Sequence, residues 1–515
     1  MHKCLCIPEI LTLIAEFAHK DADHLSVASM AMTCQTFAGP ALDILWHYQE
    51  SVVPLIRTLP SSLLEETEEA VTGHLVMSFK RPMKPSDWSR FVVYAPRVKM
   101  LRLGLWYKGR SHSLEGVLSK LDLDTYRGVA PIETTALLPN LQLITIDPPH
   151  WYIFPHIPLL FGPRTVTVTL AFAPNQTQDT LRDVLNAIRH KSPHIGALQV
   201  TECDFMNDDE LAEYSNFICG MSDLRLLAFE PELPHRVWAH LASVPFSVIK
   251  LTLPPAHLGL LSTSLPSTPF SALGMITLTI SDSGSWTDFT SCLSSPLEIL
   301  NLDLKFVPTV ADLRSCFSTV ERFSPTLSIF TFRQVSMELF VSESDIPLPN
   351  DTLIPLLKLH KLQKLRLNFA PFPDIDDAFM NEMARSWPEI WSLDLTSCPV
   401  WGGHSNITLN GLVPFARYCP ELTSIGIAID AGGELPDPPD NLCHKNLKEI
   451  RVAVESEIED PEGVAAFLTS LFSSLAIVTT DEDDNQHSID LWSDVENRLQ
   501  NSILFSSWDS IGETL

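Results

Sequence analysis

One short phrase returns along most of this chain: an apolar residue, two others, a second apolar residue, one other, a third apolar residue. It reads Val98-Leu101-Leu103, Leu141-Ile144-Ile146, Thr165-Val168-Leu170, Ile195-Leu198-Val200, Leu224-Leu227-Phe229, Val248-Leu251-Leu253 and Leu273-Ile276-Leu278. It continues as Leu297-Leu300-Leu302, Leu327-Phe330-Phe332, Leu362-Leu365-Leu367, Ile390-Leu393-Leu395, Leu422-Ile425-Ile427 and Leu447-Ile450-Val452, and closes on a degraded Leu475-Val478. Apolar residues two apart mark a strand with one buried face. Between copies the period changes to that of amphipathic helices: Leu181, Val184, Leu185 and Ile188 in one, Val310, Leu313, Phe317 and Val320 in another, Val464, Phe467, Leu468 and Leu471 near the end. Strand followed by helix, repeated, implies parallel strands with helices over one side. About fourteen copies are too many for an ordinary sheet of about six strands. No single unit can bury its apolar side alone, so neighbours must stack.

The interval between copies runs from about 24 to 43 residues with a mean near 29, and the phrase resembles irregular leucine-rich repeats without their asparagine-ladder positions. That resemblance implies an α/β solenoid of the horseshoe kind. Segments near Lys108 to Ala136, Pro254 to Pro269, Gln334 to Thr352 and Ala431 to Leu442 are rich in Pro, Gly, Ser or Asp and read as surface insertions.

In each copy the residues beside and between the last two apolar positions point to the opposite face of the strand. In order the central ones are Arg102, Thr145, Thr169, Gln199, Ala228, Thr252, Thr277, Asn301, Thr331, Arg366, Asp394, Gly426 and Arg451. The early, Thr-rich part is ordinary strand chemistry. The late part is charged: Lys364 and Arg366 neighbour Asp394, and Glu449 and Arg451 follow. These five are the candidate target-binding residues, although opposite charges so close can also satisfy one another.

Ahead of the repeats, residues 7 to 46 read IPEILTLIAEFAHKDADHLSVASMAMTCQTFAGPALDILW. Pro8 suits a first helical turn, and Ile10, Leu11, Ile14 and Phe17 lay an apolar stripe along a helix. HKDADH reads as a turn. The pattern resumes with Leu25, Ala28, Met32 and Phe37, pauses at Gly39-Pro40, and returns at Leu42, Leu45 and Trp46. Three short helices in about forty residues make a marginal core. The order Pro-Glu-Ile-Leu, acidic turn, Leu-x-x-x-Ser-x-Ala-x-Thr-Cys, Phe37 and Leu45-Trp46 resembles an F-box in the divergent form of fungal F-box-like proteins, with Ile7 where the family has Leu and Phe37 where it has Trp. The resemblance implies docking on the Skp-type adaptor of a cullin-based ubiquitin ligase, with the rest of the chain selecting the target. Carried onto this sequence, the adaptor-binding residues are Pro8, Glu9, Ile10, Ile14, Leu25, Phe37, Leu45 and Trp46. Of these, Pro8 and Glu9 are expected to touch the adaptor, and Phe37 and Trp46 have an alternative place in the core.

The net charge of -28 disfavours nucleic acid and anionic membrane surfaces as partners. Ten cysteines occur without a CxxC pair; Cys34, Cys219 and Cys419 sit in apolar settings and are expected to be reduced and buried. With no secretory signature and no uninterrupted run of eighteen apolar residues, the chain is expected to be intracellular, cytoplasmic or nuclear. No Walker loop, GxGxxG, HExxH or GxSxG motif occurs. The acidic run Asp481 to Asp484 with His487 lacks EF-hand spacing. Neither catalysis, a metal nor a cofactor is expected.

The organisation expected is an F-box-like helical unit over 1–60, a connecting helical segment over 61–97 in which SSLLEETEEAV forms a polar surface helix, a solenoid over 98–480, and an acidic loop with a capping helix over 481–515. The function expected is that of a substrate-recognition subunit, with an adaptor, a cullin beyond it and a protein target as partners. The alternative is a protein-interaction scaffold that engages no ligase.

Overall fold

The computed structural model describes residues 7–19, 24–68, 75–103, 106–107, 110–130, 136–146, 154–171, 177–203, 206–253, 267–335, 349–369, 375–396, 405–437, 439, 442–453, 456–480 and 486–512. The chain divides into two units, Met1–His240 and Leu241–Leu515. Each is an α/β solenoid built from the repeated strand and helix.

The first unit opens with three helices, α1 (Pro8–His19), α2 (His24–Thr33) and α3 (Gln35–His47). Their common core is small: Ala15, Val27 and Ala41 are fully buried, with Ala18, Met30, Ala31, Ile44 and Leu45 packed around them. Alanine at the contacts lets the helices approach closely. The expected pause at Gly39-Pro40 does not occur, because α3 runs through both residues. Pro40 lies in the second turn, where it gives up one backbone bond, and the Cys34 carbonyl secures the start by accepting from the N–H groups of Phe37 and Ala38.

α3 leads directly into β1 (Tyr48–Gln49), a two-residue strand paired parallel to Met100–Leu103. No phrase announces β1, yet it ties the helices to the sheet. From there the strands follow in chain order, Met100–Leu103, Leu143–Ile146, Thr167–Ala171, Ala197–Thr201 and Leu226–Phe229, all parallel. Leu101, Ile144, Val168, Leu198 and Leu227 share one register line and are buried.

The stretch expected as a polar helix holds a turn and a strand instead, and its last three residues, 69–71, lie outside the described residues. Leu64–Glu68 pairs antiparallel with Leu75–Phe79 in a small side sheet. Its local composition favours a helix, but buried Met77 lies opposite it and Arg57 clasps Glu66 in two bonds of 2.8 and 2.9 Å; tertiary pairing overrides propensity. Further on, Trp88 is fully buried, with Phe91 and Tyr126 edge-on to its ring, and its indole N–H donates to Thr125. Lys108 to Ala136, expected as an insertion, contains the strand Arg110–Ser113 and the helix Leu123–Arg127.

Among the described residues the second unit gives the large sheet nine parallel strands, Val248–Thr252, Met275–Ile280, Ile299–Leu304, Ile329–Gln334, Lys364–Asn368, Ser392–Asp394, Ser424–Ile427, Glu449–Val452 and Ile477–Thr480. One copy of the phrase is displaced by two residues from the sequence expectation. Ile249 pairs with Ile276 and Leu251 with Leu278, so the copy is Phe246-Ile249-Leu251 and its outward residue is Lys250, not Thr252. Residues 246, 249, 251 and 253 are all apolar, so two frames satisfied the pattern and only pairing distinguishes them. Thr252 is buried.

The expected helices form as Gln178–Lys191 in the first unit and Val310–Val320 and Pro461–Leu471 in the second. Phe317 packs edge-on against Phe330 and Phe332 and near Phe369, all four fully buried. The last helix, Gln486–Gly512, lies on Pro461–Leu471 and on the final strand, burying Trp492, Val495 and Leu499. Residues 254–266, 336–348 and the acidic run 481–484 lie outside the described residues. Phe317→Ala is expected to cost about 3–5 kcal/mol in denaturant unfolding of the second unit, whereas Phe17→Ala, at a site 67% exposed, changes stability by less than about 0.5 kcal/mol.

Candidate protein-binding surfaces

α1 turns only Leu11 and Ala15 fully inward. Ile10 is half-buried, while Ile7, Leu13, Ile14 and Phe17 remain exposed. Ile10, Leu13, Ile14 and Phe17 recur at three-and-four spacing and so share one side of the helix. α2 repeats this: Val27 is buried, and Leu25 and Met32, seven residues apart, are 79% and 80% exposed. Of the stripe that the sequence marks as apolar, only Leu11 is fully buried, while Ile14 and Phe17 stay outside. Ala15, Val27 and Ala41 centre the core, and Leu13, Ile14, Phe17, Leu25 and Met32 face solvent, forfeiting roughly 1.5–3 kcal/mol each that full burial would contribute.

Among the residues expected to meet an adaptor, Pro8, Glu9, Ile14 and Leu25 are exposed and Ile10 is half-covered. Leu45 packs into the three-helix core. Phe37 is half-buried, and Trp46 stacks on Tyr94 with ring centroids 4.6 Å apart. The Arg97 guanidinium donates to the Gly39 carbonyl at 3.2 Å and pairs with Asp43. Trp46 and Arg97 thus fix α3 to the start of the repeats and leave α1 and α2 presented outward. His47 lies at this join. Its partial burial lowers its pKa below 6.5, and the Lys99 ammonium lowers it further against a smaller opposing effect of Glu16.

The open face of the second unit carries a different surface. One register line runs Thr277, Asn301, Thr331, Arg366, Asp394, Gly426, Arg451, Thr479. Asp394, with a side chain 14% exposed, lies 3.2 Å from both Arg366 Nε and Arg451 Nη1, and Thr396 donates its hydroxyl (2.7 Å) and its N–H (3.2 Å) to the same carboxylate. Arg451 reaches Asp394 across an intervening strand because Gly426 stands between them. A Cβ there would lie 2.9 Å from Asp394 Oδ1. The outward positions beside Gly426 are Ser392 and Ser424, whose hydroxyls are 3.1 Å apart. Lys364 Nζ sits 5.2 Å from the Trp391 ring centroid. Glu449 pairs in register with Ser424. Sequence reasoning named these five residues; it missed Arg333, which holds Asp303 in two bonds of 2.8 and 2.9 Å one step further along the strands. Arg333 stands beside the last apolar position of its phrase and so on the open face, but among the central residues its strand shows only Thr331.

Cys34, expected to be buried, is exposed just ahead of α3, whereas Cys419 is buried and its thiol is pushed up to about 12 by desolvation. Among the described residues no group of three or more His, Cys, Asp or Glu side chains is placed to hold a metal ion, and no helix is long and apolar enough to cross a membrane.

No protein-family model matches the sequence, and no curated protein matches it significantly. Among solved structures the chain is similar to a leucine-rich-repeat-containing protein, LegL7 of Legionella pneumophila, at 13% identity and a TM-score of 0.30, over 65% of this chain and 98% of that one. It is also similar to a chain in the Rad7 and Elc1 complex of yeast, at 12% identity and a TM-score of 0.32, over 94% and 96%. At such scores the functional reading rests on this chain's own surfaces.

Gly426→Ala is expected to cost about 1–3 kcal/mol in denaturant unfolding of the second unit, because the added methyl group displaces the Asp394 carboxylate and separates it from Arg451. His47 has a depressed folded pKa, so the stability it contributes is present above pH 6.5 and is lost as pH falls through the lower folded value. His47→Gln should flatten that part of the stability profile of the first unit.

Proposed function

We propose that this chain is a substrate-recognition subunit of a Skp-cullin-type ubiquitin ligase, holding the adaptor with its N-terminal helices and a protein target with its repeats. The observation that carries the reading is the inverted use of apolar residues in α1 and α2, where Ala15 and Val27 make the core and Ile14, Phe17, Leu25 and Met32 are left in solvent. Helices that only capped the repeats would turn those side chains inward; an exposed apolar side on a helix is the form taken by helix-in-groove partners. Pro8, Glu9, Ile10, Ile14 and Leu25 then touch the adaptor, with Phe17 beside them. Phe37, Leu45 and Trp46 hold the unit together. The chain contributes proximity: binding a target near the transferring enzyme raises its effective concentration, and the other subunits perform the chemistry.

Calorimetry of the purified chain with a Skp-type adaptor tests this. Wild type is expected to bind at micromolar or tighter Kd, and an Ile14→Asp, Phe17→Asp variant with unchanged circular dichroism to bind at least about 30-fold more weakly, a loss of about 2 kcal/mol. A folded wild-type chain that does not bind would leave the scaffold reading in its place.

A further inference from the structure

We propose that the trough formed by Ser392, Ser424 and Gly426 on the open strand face, walled by Lys364 and Arg366 on one side and Arg451 on the other, binds an unmodified acidic segment of a protein target, seating a carboxylate between the two arginines. The proposal deepens the target-binding half of the reading above and rests on it for the ligand's role.

The walls and floor follow from register. Lys364 and Arg366 lie on one strand, Ser392 and Asp394 on the next, Ser424 and Gly426 on the next, and Glu449 and Arg451 on the fourth. Adjacent strands are about 4.8 Å apart, so two strands bearing small outward side chains separate the basic walls by roughly three strand spacings. Asp394 and the Arg451 side chain that crosses Gly426 to reach it fill the Gly426 end of that space, and Asp394 lies low, 14% exposed against 38% for Arg366 and 40% for Arg451.

The charges do not cancel. Arg451 donates one N–H to Asp394, the Arg366 Nε lies 3.2 Å from the same carboxylate without a hydrogen bond to it, and each guanidinium has five N–H donors. Among the described residues the remaining donors meet no other acidic side chain, and Lys364 has an aromatic neighbour, Trp391, but no acidic one. Three cations thus stand with two carboxylates, Asp394 and Glu449, which leaves a net positive site in a chain whose net charge is -28. The arginine pair beyond, Arg333 with Asp303, is balanced by contrast. Asp394 and Thr396 hold the guanidiniums in place before any ligand arrives, which reduces the side-chain ordering that binding requires. Planar guanidiniums suit a carboxylate, and the bonded Ser392–Ser424 hydroxyl pair leaves one O–H donor to add. Repulsion from the rest of the chain is screened beyond a Debye length of about 10 Å at 0.1 M salt, so the local cations dominate within the trough. Glu449, in register with Ser424, disfavours a second acid at that side and so sets how the segment lies.

The test is fluorescence anisotropy of the full chain at 0.1 M salt, with a fluorescein-labelled peptide carrying two adjacent glutamates flanked by glycine and serine, beside the same peptide with glutamines. The glutamate peptide is expected to bind at least tenfold more tightly than the glutamine peptide, and an Arg366→Gln, Arg451→Gln variant is expected to lose at least tenfold. Arg451→Lys should recover part of that loss. Equal binding of the two peptides by a folded wild-type chain, or unchanged binding by the double variant, overturns the proposal. Should the double variant fail to fold, Lys364→Gln decides, since it leaves the partners of Asp394 in place: weakened binding supports the trough and unchanged binding overturns it. No adaptor enters this assay, so its result stands apart from that of the adaptor titration.

Discussion

Parallel pairing of strands in register is the constraint on which everything else in this molecule depends. Each strand buries the two apolar residues of its phrase, as Leu365 and Leu367 do, beneath a helix whose own stripe closes over them. Because side chains alternate with period two, burying that pair forces the residue between them outward. The open face is therefore a consequence of the core, and its composition is free of packing demands. That freedom allows Arg366, Asp394, Gly426 and Arg451 to sit on one line and Lys364, Ser392, Ser424 and Glu449 on another.

The same separation of core from surface operates in the N-terminal helices by other means. Alanine at Ala15, Val27's small volume and Ala41 bring three helices together with little apolar bulk, and β1 and the Trp46 stack on Tyr94 supply the anchoring that so small a core lacks. The large apolar side chains are thereby released to the outside. A three-helix unit that relied on Ile14 and Phe17 for its own stability could not offer them to a partner.

Much of this was legible in the sequence. The phrase located every repeat strand, and the helices with Leu181, Phe317 and Phe467 formed where the 3.6-residue period placed them. What escaped has identifiable causes. At Val248 four apolar residues at 246, 249, 251 and 253 admitted two frames, and only the pairing with Met275–Ile280 chose between them. At Leu64–Glu68 a helix-favouring composition yielded to pairing with a segment ten or so residues away. In α3 the Gly39-Pro40 break was absorbed within the second turn. On the candidate surfaces the residues could be named but their states could not. That Ile14 is outside and Ala15 inside depends on how α1 is rotated against α3. That Arg451 reaches Asp394 over Gly426 depends on register across three strands.

In the proposed function α1 and α2 are covered by an adaptor rather than by this chain's own repeats. Hydrogen exchange of the full chain, measured with and without a Skp-type adaptor, tests it most directly. The expected result is added protection concentrated in residues 7–33, with the strands of both units unchanged. Protection absent from those helices, or confined to the repeats, would contradict it.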